Sequence, residues 1–357
     1  MTPPRRIEPF TCVHSPHLPA LLAELDCALV VSTYQAGKLI LLASDGERIL
    51  LLPRTFHGPM GIAVSDDQMA VATRREIVLL GDEPRLASSY PRQPAVYDSL
   101  WLPRSVFFCG ALDVHDLVFG QDGLIGVNTL FSCLFALDPA VSFRPIWRPR
   151  FVTALAPEDR CHLNGLALEK RVPRYATALG ATDSREGWRP GKATGGILID
   201  IDSGEIAASG LAMPHSPRIV DGKLWALLSA TSELVTIDPE RGTVEVVCRL
   251  KGFVRGLASV GDYLVVATSM VRKDHRFSDL ALARDAPPTC GLFFVDRRSG
   301  AVVAEMEFIR TCEEIYDVQI LPGRRRPGIL GLSDSTHRRA LSLPEATFWG
   351  VDPEDDD

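Results

Sequence analysis

The sequence predicts an all-β chain folded as a six-bladed β-propeller, with N- and C-terminal strands closing one blade. Three features predict it. Short runs of Val, Ile and Leu alternate with Asp-Gly, Ser-Gly and Asp-Asp turns along most of the 357 residues. The runs recur in one grammar: an opening residue, a small-apolar strand, an Asp/Gly turn, and further strands. Finally, the two ends carry complementary defects. The last opening, IYDVQIL, has only a tail after it, whereas residues 27–55 supply three strands with no opening strand before them.

Taken in order, residues 1–26 read as an extension with a short helix from Leu18 to Leu25. Residues 27–345 read as the propeller. Its openings are FHGPMGIAV, VHDLVFG, CHLNGLAL, PHSPRIV, FVRGLAS and IYDVQIL. Marked at His57, His115, His162, His215, Arg255 and Tyr316, they are spaced by 58, 47, 53, 40 and 61 residues. The shortest spacing matches a propeller blade of ~40–45 residues, and loop insertions lengthen the others. Residues 346–357 read as an acidic tail. A large irregular β-sandwich is the alternative, but it would not be expected to give six equivalent units with matching defects at the two ends.

Composition narrows the function. Lys and Arg number 38 against 45 Asp and Glu, a net charge of -7. Such a chain has no general attraction for nucleic acid or anionic lipid. No apolar run approaches the roughly 20 residues that span a bilayer. The start of the chain shows no signal-peptide pattern. The eight cysteines lack any CxxC spacing and sit among apolar neighbours. Reduced thiols in a cytoplasmic protein are therefore expected.

In a propeller, the residues before each first strand gather at one mouth of the channel. Four consecutive openings carry histidine, and the whole chain has only eight. His57, His115, His162 and His215 are thus expected to converge, and imidazoles on a common axis could hold a divalent ion such as Fe, Zn, Mn or Cu. The register is imperfect, because His57 precedes its GIA by four residues and His162 precedes its GLA by three. The plainer reading makes each histidine a hydrogen-bonding group at the channel mouth.

The other openings supply different chemistry. Arg255 could clamp an anion, or pair with Asp116 or Asp317. Tyr316 and Glu314 could move protons. Asp116 and Asp317 sit in matching places and suit hydrogen bonds between blades. Two long loops should lie on the same face, Asp183 to Gly196 and Val271 to Pro288. They bring Arg185, Trp188, Arg189, Lys192, Arg272, Lys273, His275 and Arg276. The STYQAGK turn adds Tyr34, Gln35 and Lys38. Arg255, Trp188, Arg189, Lys192, Tyr34 and Gln35 are the expected substrate contacts. Nucleotide-binding and nucleophile-elbow motifs are missing.

The segments STYQAGKL at 32–39, FHGPMGIAV at 56–64, VHDLVFG at 114–120 and HLNGLAL at 162–168 carry a resemblance. Through them the chain resembles a bacterial family of propellers known as a conserved domain of unknown function, sometimes linked to tetratricopeptide repeat proteins. The resemblance implies a fold and no established reaction. More distantly the architecture is similar to gluconolactonase-like and streptogramin-lyase-like six-bladed propellers. The four-histidine pattern is similar in kind to the iron site of carotenoid-cleaving propeller oxygenases.

The expectation is a metal-dependent enzyme of oxygenase, hydrolase or lyase type, acting on an anionic small molecule or peptide. Two alternatives remain open: a non-enzymatic propeller that grips a protein or peptide, and a metal-free lyase using one His and one Glu.

Overall fold

Six antiparallel sheets form the ring, and each innermost strand touches the innermost strands of both neighbouring sheets. The computed structural model describes residues 10–270, 288–333 and 335–351. Blade one joins the chain ends: Asp317–Pro322 is innermost, followed outward by Cys27–Thr33, Lys38–Ser44 and Ile49–Thr55. Blades two to six begin with Ile62–Val64, Val114–Gly120, Leu163–Glu169, Pro214–Val220 and Phe253–Val260. The closure expected from the defects at the two ends is therefore real. It runs from Cys27 opposite Pro322 to Ser32 opposite Asp317.

The apolar runs are continuous because both faces of each inner sheet are covered. Alternate side chains of blade one face opposite neighbours. Ala28, Val30, Leu39 and Leu41 pack with Ile62, Met69, Val71 and Val78 of blade two. Leu29, Val31, Ile40 and Leu42 pack with Val265, Ala267, Leu292 and Phe294 of blade six. Burial thus glues blade to blade and leaves no separate central core.

Two edges are capped. Cys12–His14 pairs with Val302–Phe308 at the rim of blade six, and Pro327–Ile329 pairs in parallel with Ser99–Phe108 at the rim of blade two. The helix Leu18–Glu24 buries Leu18, Pro19 and Leu22 over the joint between blades six and one. Seven residues make no stable helix alone, so packing holds it. The acidic tail begins later than position 346. Ala340–Ser342 and Thr347–Trp349 form a hairpin, and the Trp349 ring lies 5.7 Å from that of Tyr90. No helix among the described residues is long and apolar enough to cross a membrane.

The inner ring explains the residue that stands at each blade joint. In blades one to six that residue is Asp317, Gly61, Asp116, Gly165, Ser216 and Gly256. Asp317 accepts from Ile62 N–H at 2.9 Å, Asp116 from Leu166 N–H at 3.0 Å, and Ser216 from Gly256 N–H at 3.1 Å. These bonds cross three of the six joints. Glycine makes the other three. A Cβ on Gly61 would lie 3.0 Å from the Asp116 backbone, one on Gly256 3.0 Å from Asp317, and one on Gly165 2.4 Å from the Pro217 ring. Arg218 adds a fork onto Asp116, with contacts of 2.8 and 3.0 Å. Arg218, not Arg255, is therefore the arginine that pairs with Asp116.

Two outcomes follow for stability. Gly61→Ala should cost about 1–3 kcal/mol through overpacking at the blade joint, measured by chemical denaturation. Burial, followed by the nearby Asp116 carboxylate, pushes the Asp317 carboxyl up to about 7 although Arg218 opposes it. Its folded value exceeds the unfolded value of ~3.9, so the native state holds the extra proton between them. This group's contribution to stability is therefore greatest at low pH and falls as pH rises from about 4 toward 7. Asp317→Asn should flatten that part of the pH–stability curve, and an unchanged slope would contradict the assignment.

Candidate active site

Two tiers of side chains from successive blades build a cavity of about 340 Å³ at one mouth of the channel. The first tier is the residue just before each joint residue. It reads Tyr316, Met60, His115, Asn164, His215 and Arg255 around the ring, and all but Asn164 line the cavity. The second tier lies two residues earlier, where Glu314, Asp113, His162, Met213 and Phe253 line it. At this second position Gly58, Asp113, His162 and Met213 share a left-handed backbone, with φ of 60, 54, 53 and 56°. Three of these four carry side chains that strain in that region, a condition that concentrates at working sites.

Register decides the fate of the histidines. His115 and His215 occupy the first tier and His162 the second, and all three line one cavity. His57 lies one residue before the second tier and is exposed outside it. Met60 fills its place in blade two. The set of four imidazoles around one ion is therefore not assembled. Among the described residues, no group of three or more His, Cys, Asp and Glu side chains is placed to hold a metal ion.

His115 and His215 are held alike. His115 Nδ1 lies 3.0 Å from the Asp113 carbonyl and 2.8 Å from the Thr129 hydroxyl, which itself donates to the Leu163 carbonyl at 2.6 Å. His215 Nδ1 lies 3.0 Å from the Met213 carbonyl and 2.8 Å from the Ser229 hydroxyl, which donates to the Val254 carbonyl at 2.6 Å. In each case the hydroxyl proton is committed to the next blade, so Nδ1 must be the donor. Nε2 then carries the lone pair. Burial, then the Arg255 charge, drives the His215 pKa well below its ordinary range, so this ring is neutral.

His162 is held differently. Its Nδ1 lies 2.9 Å from Asp159 Oδ2 and 3.1 Å from Oδ1, and the same carboxylate accepts from Trp188 Nε1 at 3.0 Å. The Trp188 ring stands 4.3 Å from His162, and the His115 ring meets His162 edge-on at 4.8 Å. Asp159 and Trp188 belong to two loops tied together by Arg160, which contacts Glu158 at 2.8 Å and Asp183 at 2.7 Å. Hydrogen bonds from Thr153 and Arg160 hold the Asp183 carboxyl down at about 2. Trp188 is thus a wall and a support for Asp159.

The Arg255 guanidinium sits 3.8 Å from the Tyr316 ring centre, and its Nη1 is 3.8 Å from Glu314 Oε1, beyond hydrogen-bond reach. Its side chain is only 13% exposed and lines the cavity, and among the described residues it makes no hydrogen bond. Tyr34 and Arg189 also line the cavity, whereas Gln35 and Lys192 do not. Gln35 is exposed, and Lys192 stands beside the loop's short 3₁₀ turn. Arg272, Lys273, His275 and Arg276 lie outside the described residues. The sequence reading missed Asp159 and the hydroxyls of Thr129 and Ser229. A signal for the hydroxyls existed, since each follows its histidine by 14 residues.

The family model described as "Domain of unknown function (DUF4915)" matches residues 16–330. The chain belongs to this family. Among solved structures, the DUF4915 chain is similar to one from a nidogen/laminin complex, with a TM-score of 0.53 at 12% identity, covering 83% of this chain and 99% of the other. A protein of Thermus thermophilus described as an oxidoreductase (glucose dehydrogenase) gives a TM-score of 0.45 at 15% identity, covering 69% of this chain and 90% of that one. At 12% identity the likeness to the nidogen/laminin chain concerns the fold alone. A search of curated proteins gives no match.

The histidine assignment has a direct check. Nitrogen-15 NMR should show His215 as the neutral Nδ1–H form at about pH 6.5, where a free imidazole is half charged. Arg255→Gln should move its titration upward, and a charged His215 at that pH would contradict the arrangement.

Proposed function

We propose that the cavity is an active site for proton-transfer chemistry on a small molecule bearing an anionic group. The observation that carries this reading is the Asp159–His162 pair in a cavity shared with a guanidinium that has no hydrogen-bonded partner among the described residues. Arg255 would bind a carboxylate or phosphate through its fork. His162 would accept a proton at Nε2, while Asp159 fixes the ring and stabilises the imidazolium. His215 offers a neutral Nε2 acceptor to the bound molecule, and His115 lines the same cavity beside it. Tyr316, whose ring lies 5.4 Å from His115, would return a proton. Glu314 lies against Arg255 and holds that charge in place. Elimination, isomerisation and hydrolysis share this machinery, and the chemistry is of the metal-free lyase type.

The eight unbridged cysteines support a reducing cytoplasmic setting. A gripping surface for a protein or peptide is the second function class, and it would leave the histidines without a chemical task.

The test incubates the purified protein with a mixture of small carboxylic and phosphorylated acids and follows consumption by mass spectrometry. Turnover should fall by about 10²–10⁴ in His162→Ala. Arg255→Gln should raise KM, and His57→Ala should change neither parameter. Equal turnover in His162→Ala and wild type would overturn the base assignment. One equivalent of metal in the wild type, lost on replacing His115, His162 or His215, would replace this reading with metal catalysis.

A further inference from the structure

We infer that Cys290 and Cys312 form an oxidisable thiol pair, bridged by small-molecule disulfides, whose state is felt at the cavity through Glu314. The two Sγ atoms are 3.6 Å apart. A disulfide needs ~2.05 Å, so closure asks for an approach of about 1.5 Å. No other pair among the eight cysteines has sulfurs in contact among the described residues. Both thiols are buried, at 1% and 3% exposure, yet Thr311 and Glu313 on either side of Cys312 are exposed. A small opening of this turn therefore admits a reagent. Thr311 holds a φ of 71°, a strained value for a β-branched residue, in the turn that carries Cys312.

The step balances with a small disulfide as oxidant. One protein thiol loses its proton to solvent and attacks the small S–S bond, expelling one thiolate. The second protein thiol then displaces the other half. Two S–H bonds are lost, one S–S bond forms, and one small disulfide becomes two thiols. The hydrogen bond to Cys312, followed by burial, pushes the Cys290 thiol up, so bridging is slow near neutrality and quickens with rising pH.

The path to the cavity is short. Cys312 Sγ donates to the Glu314 carbonyl at 3.6 Å. Bridging removes that donor and draws Cys312 toward Cys290. Glu314 then shifts against Arg255, whose charge acts on His215. The coupling uses the cavity described above, whereas the bridge itself stands on the sulfur geometry alone.

The experiment treats the full chain with glutathione disulfide, then counts thiols by alkylation after denaturation and maps the peptides. Two of the eight thiols should disappear, with one linked peptide joining Cys290 to Cys312, and dithiothreitol should restore both. Retention of all eight thiols, or a different linked pair, would overturn the pair. The nitrogen-15 resonances of His215 should move on oxidation of the wild type and stay fixed in Cys290→Ser. A mapped bridge with unmoved His215 resonances would overturn the coupling. Mapping needs no turnover, so loss of the acid–base reading and loss of the thiol pair are separately visible.

Discussion

The structure depends on how closely adjacent inner strands approach at the ring. Three joints are made by side-chain acceptors on backbone N–H groups, and three by glycines that let backbones touch. The two kinds alternate around the circle. A carboxylate or hydroxyl reaches across to a glycine-bearing blade, and that glycine allows the blade after it to close in. Apolar packing between sheets supplies the bulk of the burial energy. It is nondirectional, however, and sets no register. The alternating joints do, and they fix which residue in each opening faces the mouth.

Register in turn selects the chemistry. One position faces the cavity directly in five of the six blades, and the position two residues earlier also lines it in five, with a left-handed backbone at Asp113, His162 and Met213. An imidazole shifted by a single residue, as His57 is, misses both. Hydroxyls just past the second strands, on Thr129 and Ser229, then settle the tautomer of His115 and His215 by committing their own protons to the next blade. The same contacts that hold the ring together therefore prepare the nitrogens that face the cavity.

Much of this was legible in the sequence. The turn signals and apolar runs marked the blades, and the incomplete ends marked the closure. The matching Asp116 and Asp317 foretold the bonds between blades. The histidines were legible as a set but not as a site, because whether a side chain enters the cavity turns on one residue of offset and on backbone handedness. Both are decided at the joints, by glycines whose neighbours lie many residues away. Arg218 escaped notice because its partner, Asp116, is 102 residues distant. Asp159 escaped because an acidic residue in a polar loop carries no periodicity, and only the fold shows it behind His162.

The strand that closes the ring comes from near the end of the chain, and it follows directly on Glu314 and Tyr316. During synthesis the first five openings emerge before their circle can shut. The ring then waits for a pairing between segments far apart in the chain, from Cys27 to Pro322. Such long-range closure is entropically slow. A nascent chain that stops short of Asp317–Pro322 therefore possesses blades but no finished cavity, and whatever this site does can begin only after the ribosome has delivered that closing strand.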